Sequence, residues 1–307
     1  MTALTLTEAL YDACASVGIE PPKRGLTPGR WTRTDSKGKN GKNDAAVLLD
    51  DDGLSGLAYN YQTAQGRKFR VGHAGSAFSG PLPKRDLQRE RDEEAQRIEV
   101  ERICAAIVAG CREDRHAYLD KKGFPDELGL ICDDPRAFFP ASRFGDALTR
   151  ALPEGGGPFL VIPGRVNGKI VTVQFITTEG AKKNILRGQM GGASHRIATG
   201  RQTWVCEGIG TALSVRAALR LLGANATVLS AFSASNVGKV AETIQGSRIA
   251  ADNDKPVEGL ENLGAGEFYA RKSGRKWVMP PQPGDWNDHH NEHGLRAVAL
   301  LLREALA

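Results

Sequence analysis

An α/β fold is expected for the last third of this 307-residue chain, and three apolar runs there predict it. Thr203–Cys206 ends at Glu207-Gly208, Ser247–Ala251 ends at Asp252-Asn253-Asp254, and Lys276–Met279 leads into Gly284-Asp285-Trp286-Asn287-Asp288. A helical pattern follows each run, the signature of parallel strands with crossover helices. In such sheets function collects at the carboxyl ends of the strands. The acidic groups therefore fall where an active site is expected.

Taken in order, residues 1–20 read as a short amphipathic helix with Leu4, Leu6, Leu10 and Ala13 as packing positions. Glu8, Asp12 and the lack of an early basic stretch make this a poor signal peptide. Residues 25–80 read as β-rich, with Ala45–Leu49 and Leu57–Tyr61 joined at Asp51-Asp52-Gly53. Trp31, Tyr59, Tyr61 and Phe69 alternate there with polar or basic residues. They form either the core of a small sheet or a platform for stacking bases. Residues 75–85 read as a linker, and 86–112 as a charged helix that turns amphipathic from Ile98. Residues 133–157, with three prolines and Gly155-Gly156-Gly157, read as mostly loop.

Residues 158–200 are strand-rich, with Asn167-Gly168 as a two-residue turn, since both residue types accept positive φ at low cost. Helices are expected at Thr211–Leu222, Ser235–Gln245, Gly259–Lys272 and Leu295–Leu306. The resulting division is a β-rich nucleic-acid or interaction module over 1–80, a charged helix or linker over 81–112, a mixed α/β half over 113–200 and a catalytic domain over 201–307.

Net charge is +5, unevenly spread. Residues 21–42 hold Lys23, Arg24, Arg30, Arg33, Lys37, Lys39 and Lys42 against Asp35 alone. Residues 181–201 hold Lys182, Lys183, Arg187, Arg196 and Arg201 with no acid. Such segments neutralise phosphates, or are simply solvated loops. The five cysteines form no C-x-x-C pair, so neither a disulfide framework nor a zinc ribbon is supported and no zinc is expected. No apolar run approaches the ~20 residues of a membrane span, which points to a cytoplasmic protein.

Gathered carboxylates repel one another, and hard divalent ions such as Mg²⁺ or Mn²⁺ are the usual compensation. Two further signals carry less. Gly164-Arg165-Val166-Asn167-Gly168-Lys169 is one residue short of a phosphate loop and Ile170 replaces its Ser/Thr, so it reads as a hairpin turn. His289, His290 and His293 invite a zinc reading that the oxygen-rich surroundings disfavour.

The ordered set of acids resembles the Toprim domain of primases, topoisomerases and related nucleases. Cys206-Glu207-Gly208-Ile209-Gly210-Thr211-Ala212-Leu213-Ser214 looks like the form found in plasmid and phage primases. So do Asp252-Asn253-Asp254 and Asp285-Trp286-Asn287-Asp288. Upstream, His116–Phe124, Phe159–Pro163 with Asn167–Ile170 and Val173–Ile176, and Gly180–Leu186 resemble the segments that precede Toprim in those proteins. The likeness spans 113–307 well and 25–80 weakly. Thr211 stands where some Toprim proteins carry a second acid.

This resemblance implies a Toprim-like parallel sheet and a nucleotidyltransferase that makes primers on single-stranded DNA for a phage, plasmid or other mobile element. Glu207, Asp252 and Asp254 would be catalytic, and Asp285 and Asp288 would join them in holding Mg²⁺ or Mn²⁺. Lys182, Lys183, Arg187 and Arg196 would meet nucleic acid or nucleotide. Partners would be a single-stranded template, nucleoside triphosphates and a separate replicative helicase. A Toprim nuclease and a non-catalytic nucleic-acid or replication-factor binding protein are the alternatives. His116 is expected to pack or cap beside Tyr118, outside the chemistry.

Overall fold

A computed structural model of the chain describes residues 5–39, 41–72, 77–79 and 87–306, in two compact units, Met1–Gln88 and Arg89–Ala307. The expected linker at 75–85 falls largely outside the described residues.

In the first unit Thr5 caps helix α1 (Leu6–Ser16) in a capping box with Glu8. A five-stranded antiparallel meander follows: β1 (Trp31–Thr34), β2 (Ala45–Leu49), β3 (Ser55–Asn60), β4 (Gln65–Arg70) and β5 (Ala77–Ser79). Side chains alternate faces along a strand. Val47, Ala58 and Phe69 point to α1 and pack with Ala9, Ala13 and Cys14. Phe69 is therefore core, whereas Trp31, Arg33 and Tyr59 occupy the other face by register. The aromatic pattern had left these two roles unsorted.

In the second unit helix α2 (Leu87–Gly110) buries Val100, Ile103, Cys104 and Ile107, while Ile98, the expected start of its apolar stripe, is exposed. These side chains cover one face of an antiparallel sheet ordered β10-β9-β8-β7-β6. Its strands are β6 (Arg112–Asp114), β7 (Gly129–Cys132), β8 (Phe159–Val166), β9 (Lys169–Ile176) and β10 (Lys182–Asn184). Asn167 and Gly168, both at positive φ, make the β8–β9 turn as expected. Short α3 (Ala117–Lys121) lies between β6 and β7. The stretch read as loop contains α4 (Arg143–Arg150), capped by Ser142, with Phe144 and Leu148 packed under α2. Two inward residues suffice for so short a helix, too few to show against the surrounding prolines.

The other face of this sheet packs Tyr118, Leu119, Ile131, Leu160, Ile162 and Ile176 against Ile209 and Leu213 of α5 (Ile209–Leu221). A third sheet follows, ordered β11-β13-β12-β14-β15: β11 (His195–Ala198), β12 (Gln202–Cys206), β13 (Ala226–Ser230), β14 (Arg248–Ala250) and β15 (Lys276–Val278). The last four are parallel, and β11 runs antiparallel at the edge. Helices α5, α8 (Trp286–His293) and α9 (Leu295–Leu306) cover one face. Helices α6 (Ala234–Thr243) and α7 (Ala265–Lys272) cover the other. Among the described residues no helix is long and apolar enough to cross a membrane.

The expected Gly259–Lys272 helix starts six residues late. Residues 258–260 form a single 3₁₀ turn, and Glu261 and Asn262 then take left-handed φ of 58°, which ends it. The chain leaves β12 for β13 on one side, then crosses to β14 on the other. The strand order thus reverses at β12 and opens a crevice at the carboxyl ends of β12 and β14, where ligands bind in open α/β sheets.

Candidate active site

Glu207 follows β12 directly and lies at that crevice. Its backbone carbonyl accepts bonds from Phe232 N at 2.8 Å and Ser230 Oγ at 3.0 Å, which fixes the strand end. Asp252 lies two residues past β14, and Thr211 Oγ1 donates to its Oδ1 at 3.2 Å. Asp254 accepts from Gly266 N at 2.8 Å. That contact needs glycine: a Cβ on Gly266 would stand 2.3 Å from the Asp252 carbonyl oxygen, and one on Gly264 2.4 Å from that of Asp254. Two glycines thus let the start of α7 press against the Asp252–Asp254 backbone.

A bridge brings the last acids alongside. Asn253 and Gly284 exchange backbone hydrogen bonds of 2.9 Å each, and Asn253 Nδ2 donates to Pro280 O. Buried Trp286 donates Nε1–H to Ala251 O at 3.0 Å. Asp285 caps α8, accepting from Asp288 N, while Asp288 reaches back to Asp285 N at 3.1 Å.

The carboxylates act on one another. Burial first, then the charges of Asp254 and Asp285, push the Glu207 carboxyl up to about 7, against the pull of Lys182. Burial, then Glu207, Asp285 and Asp254, hold Asp252 well above the usual carboxylate range, against its bond from Thr211. Glu207, Asp252, Asp254 and Asp285 therefore share one electrostatic site, while Asp288 spends a carboxylate oxygen on the helix cap. Among the described residues no three His, Cys, Asp or Glu side chains converge closely enough to form a metal cage alone. A hard-oxygen set whose members repel one another still suits an ion completed by water and substrate phosphates, the usual arrangement for Mg²⁺.

The four basic candidates separate. Lys182 pairs with Ile176 across β10 and β9, on the face that packs α5, with its ammonium 5.1 Å from the Tyr118 ring centre. Lys183 pairs with Phe175 and so projects to the α2 face. Arg187, at φ 63°, sits 5.9 Å over the Phe144 ring of α4. Arg196 is exposed on edge strand β11. Of these, Lys182 bears on Glu207.

Lys122 was not singled out from the sequence, yet its Nζ lies 3.9 Å from Asp285 and its aliphatic chain runs beside Gly210. Buried Asn287 donates to Lys122 O at 2.8 Å and to Ser214 Oγ at 3.0 Å, holding this lysine at the crevice. Both residues fall inside segments that carry the resemblance, but nothing local marks their contact, because they meet across 165 positions of chain. His116 accepts from Tyr118 N through Nδ1, so its Nε2–H faces Pro158 O: it caps α3, as expected. His290 Nδ1 lies 3.1 Å from Ser214 Oγ, and His289 packs on Trp286 and His293.

Comparison with known proteins places this geometry in a family. Residues 202–296 match the Toprim domain model. Two solved structures are also similar. The primase fragment of the bacteriophage T7 primase-helicase protein is 18% identical, with 52% of this chain and 70% of that one covered at a TM-score of 0.36. The RNA polymerase domain of Mycobacterium tuberculosis primase DnaG is 15% identical, with 71% and 84% covered at a TM-score of 0.35. The parallel sheet, its acidic crevice and the family model agree: residues 202–296 are a Toprim domain.

Proposed function

We propose that this protein is a primase-type nucleotidyltransferase that builds short primers on single-stranded DNA, in the replication machinery of a phage, plasmid or other mobile element. The observation that carries the reading is the gathering of Glu207, Asp252, Asp254 and Asp285 at the switch point of a Toprim sheet. Asp252, Asp254 and Asp285, with Asp288 from the α8 cap, would hold Mg²⁺ or Mn²⁺. Bound there, the ions would neutralise triphosphate charge and favour in-line phosphoryl transfer.

The chain's own groups divide the remaining work. Glu207, whose carboxyl exchanges its proton near neutrality, takes up the proton of the attacking 3′-hydroxyl. That oxygen bonds to the α-phosphorus of the incoming triphosphate, and pyrophosphate leaves. Lys182 and Lys122 flank the acids and offset phosphate charge in the transition state. Thr211 and Gly266 keep Asp252 and Asp254 oriented. A separate helicase would supply the unwound template.

The test is incorporation of radiolabelled nucleotides on a single-stranded template with Mg²⁺, run beside a DNA-degradation assay. Labelled oligomers that vanish with EDTA support the reading. Metal-dependent degradation without synthesis would assign the crevice to a nuclease, and neither activity in a DNA-binding protein would make it a binding module.

A further inference from the structure

The five cysteines are free, and two of them meet. Arg112 pairs with Ile131 across β6 and β7, so the same register sets Cys111, one residue before β6, opposite Cys132, the last residue of β7. Both side chains project to the α2 face, where Cys132 belongs to the core and Cys111 packs against it. Arg112 reaches Asp133 at 3.2 Å and holds this end of the two strands together. Opposed residues of an antiparallel pair lie about 4.5–5.5 Å apart at Cα, within the span of a disulfide. Cys111 Sγ is 3.1 Å from Ile107 O and within hydrogen-bonding reach of the Cys132 sulfur.

The surroundings separate this pair from the other three. Cys14 and Cys206 are buried in other cores, and Cys104 is buried on α2. Burial pushes the thiols of Cys14 and Cys104 up to about 12, and that of Cys206 well above its usual range. A thiol kept protonated reacts slowly, because the thiolate is the nucleophile. At Cys132 the hydrogen bond from Cys111 outweighs burial and the charges of Asp133 and Asp134, and pulls the thiol down. Cys111 is half-buried, so a small reagent reaches the pair from its side, while Cys132 is 3% exposed.

We propose that Cys111 and Cys132 are a redox modification site at which a hydroperoxide converts two thiols into one intramolecular disulfide. The pair loses its first proton to solvent. Cys111 attacks as the thiolate, the peroxide O–O bond breaks, an alcohol or water leaves with a solvent proton, and a sulfenic acid forms. Cys132 then attacks that sulfur. The S–S bond forms, and the Cys132 proton leaves with the hydroxyl as water. Two electrons have then passed from sulfur to the peroxide. A small dithiol reverses the bond by exchange. The bridge closes residues 112–131 into a loop that carries α3 and Lys122. The inference rests on neither the acidic crevice nor the catalytic reading.

The experiment treats the full chain with hydrogen peroxide, caps the remaining thiols with iodoacetamide and digests it for mass spectrometry. The expected product is a peptide pair joining Cys111 to Cys132, lost again on treatment with dithiothreitol, with Cys14, Cys104 and Cys206 capped. Cys104→Ser, which removes the third thiol of this core, should leave the link in place, and Cys111→Ser should abolish it. The melting temperature should rise by about 5–10 °C on oxidation and return on reduction, the effect of closing a loop of this length in the unfolded chain. Four results would each overturn the proposal: thiols that all remain open to capping, a Cys111 that runs on to sulfinic acid with no link, a link that persists in Cys111→Ser, or a linked chain that melts no higher than the reduced one.

Discussion

Asn253 and Gly284 donate a backbone N–H to each other's carbonyl at 2.9 Å, although 31 positions separate them. That reciprocal pair joins the loop after β14 to the loop after β15, so Asp252, Asp254 and Asp285 act on one crevice.

Glu207→Gln keeps shape and removes the ionisable group. Turnover should fall by about 10²–10⁴-fold, the range for a lost acid–base group, while affinity for single-stranded DNA changes little. Parallel incorporation and binding assays check this. Full turnover in the variant would leave Glu207 without a chemical role.

Stability should depend on pH and divalent ions together. Glu207 keeps its proton up to about pH 7 in the folded state but only to about 4.5 in the unfolded chain. The folded state therefore binds the extra proton between those values, and stability falls as pH rises through that window. Asp252, also raised, acts in the same direction. In EDTA the melting temperature should drop from pH 5 toward pH 8, and Mg²⁺ should recover most of the loss at pH 8. A melting temperature indifferent to Mg²⁺ at pH 8 would count against an ion site here.

Lys182 and Lys183 are neighbours in sequence with different prospects. Each alanine variant should flatten the salt dependence of single-strand binding by ~0.7 if its lysine meets a phosphate. Lys182→Ala should in addition raise the Glu207 pKa, moving the acidic limb of the pH–rate profile to higher pH. Lys183→Ala, on the α2 face, should leave that limb in place. Equal shifts in both variants would contradict the strand register.

Gly266→Ala should be the most damaging single methyl in the crevice. Its Cβ would meet the Asp252 carbonyl oxygen at 2.3 Å, and backbone cannot rotate away. We expect a loss of about 1–3 kcal/mol by overpacking, with weaker Mg²⁺-dependent stabilisation. Thermal melts with and without Mg²⁺ measure both.

The acidic crevice was legible because its parts are short and local. An apolar run ending in an acid marks a strand end by itself, and four such acids fell on one crevice. Lys122 and Asn287 were illegible because their roles exist only once α3 docks against α8. Strand β13 carries no charged residue at its end, so it gave no landmark. Helix α8 hid inside its own motif: Asp285 and Asp288 read as ligands and are also the capping box that starts the helix. In the first unit, alternation placed aromatics on a sheet, and only the pairing register separated Phe69 from Tyr59.

Ile209 and Leu213 of α5 do not face solvent at the edge of the matched segment, because they fill the seam beneath Tyr118, Leu160 and Ile176. Arg216 of the same helix forks onto Glu127 across that seam. A polypeptide trimmed to residues 202–296 would bare an oily stripe and strand a guanidinium, and should aggregate on expression. The two halves have to be inherited, and handled at the bench, as one piece.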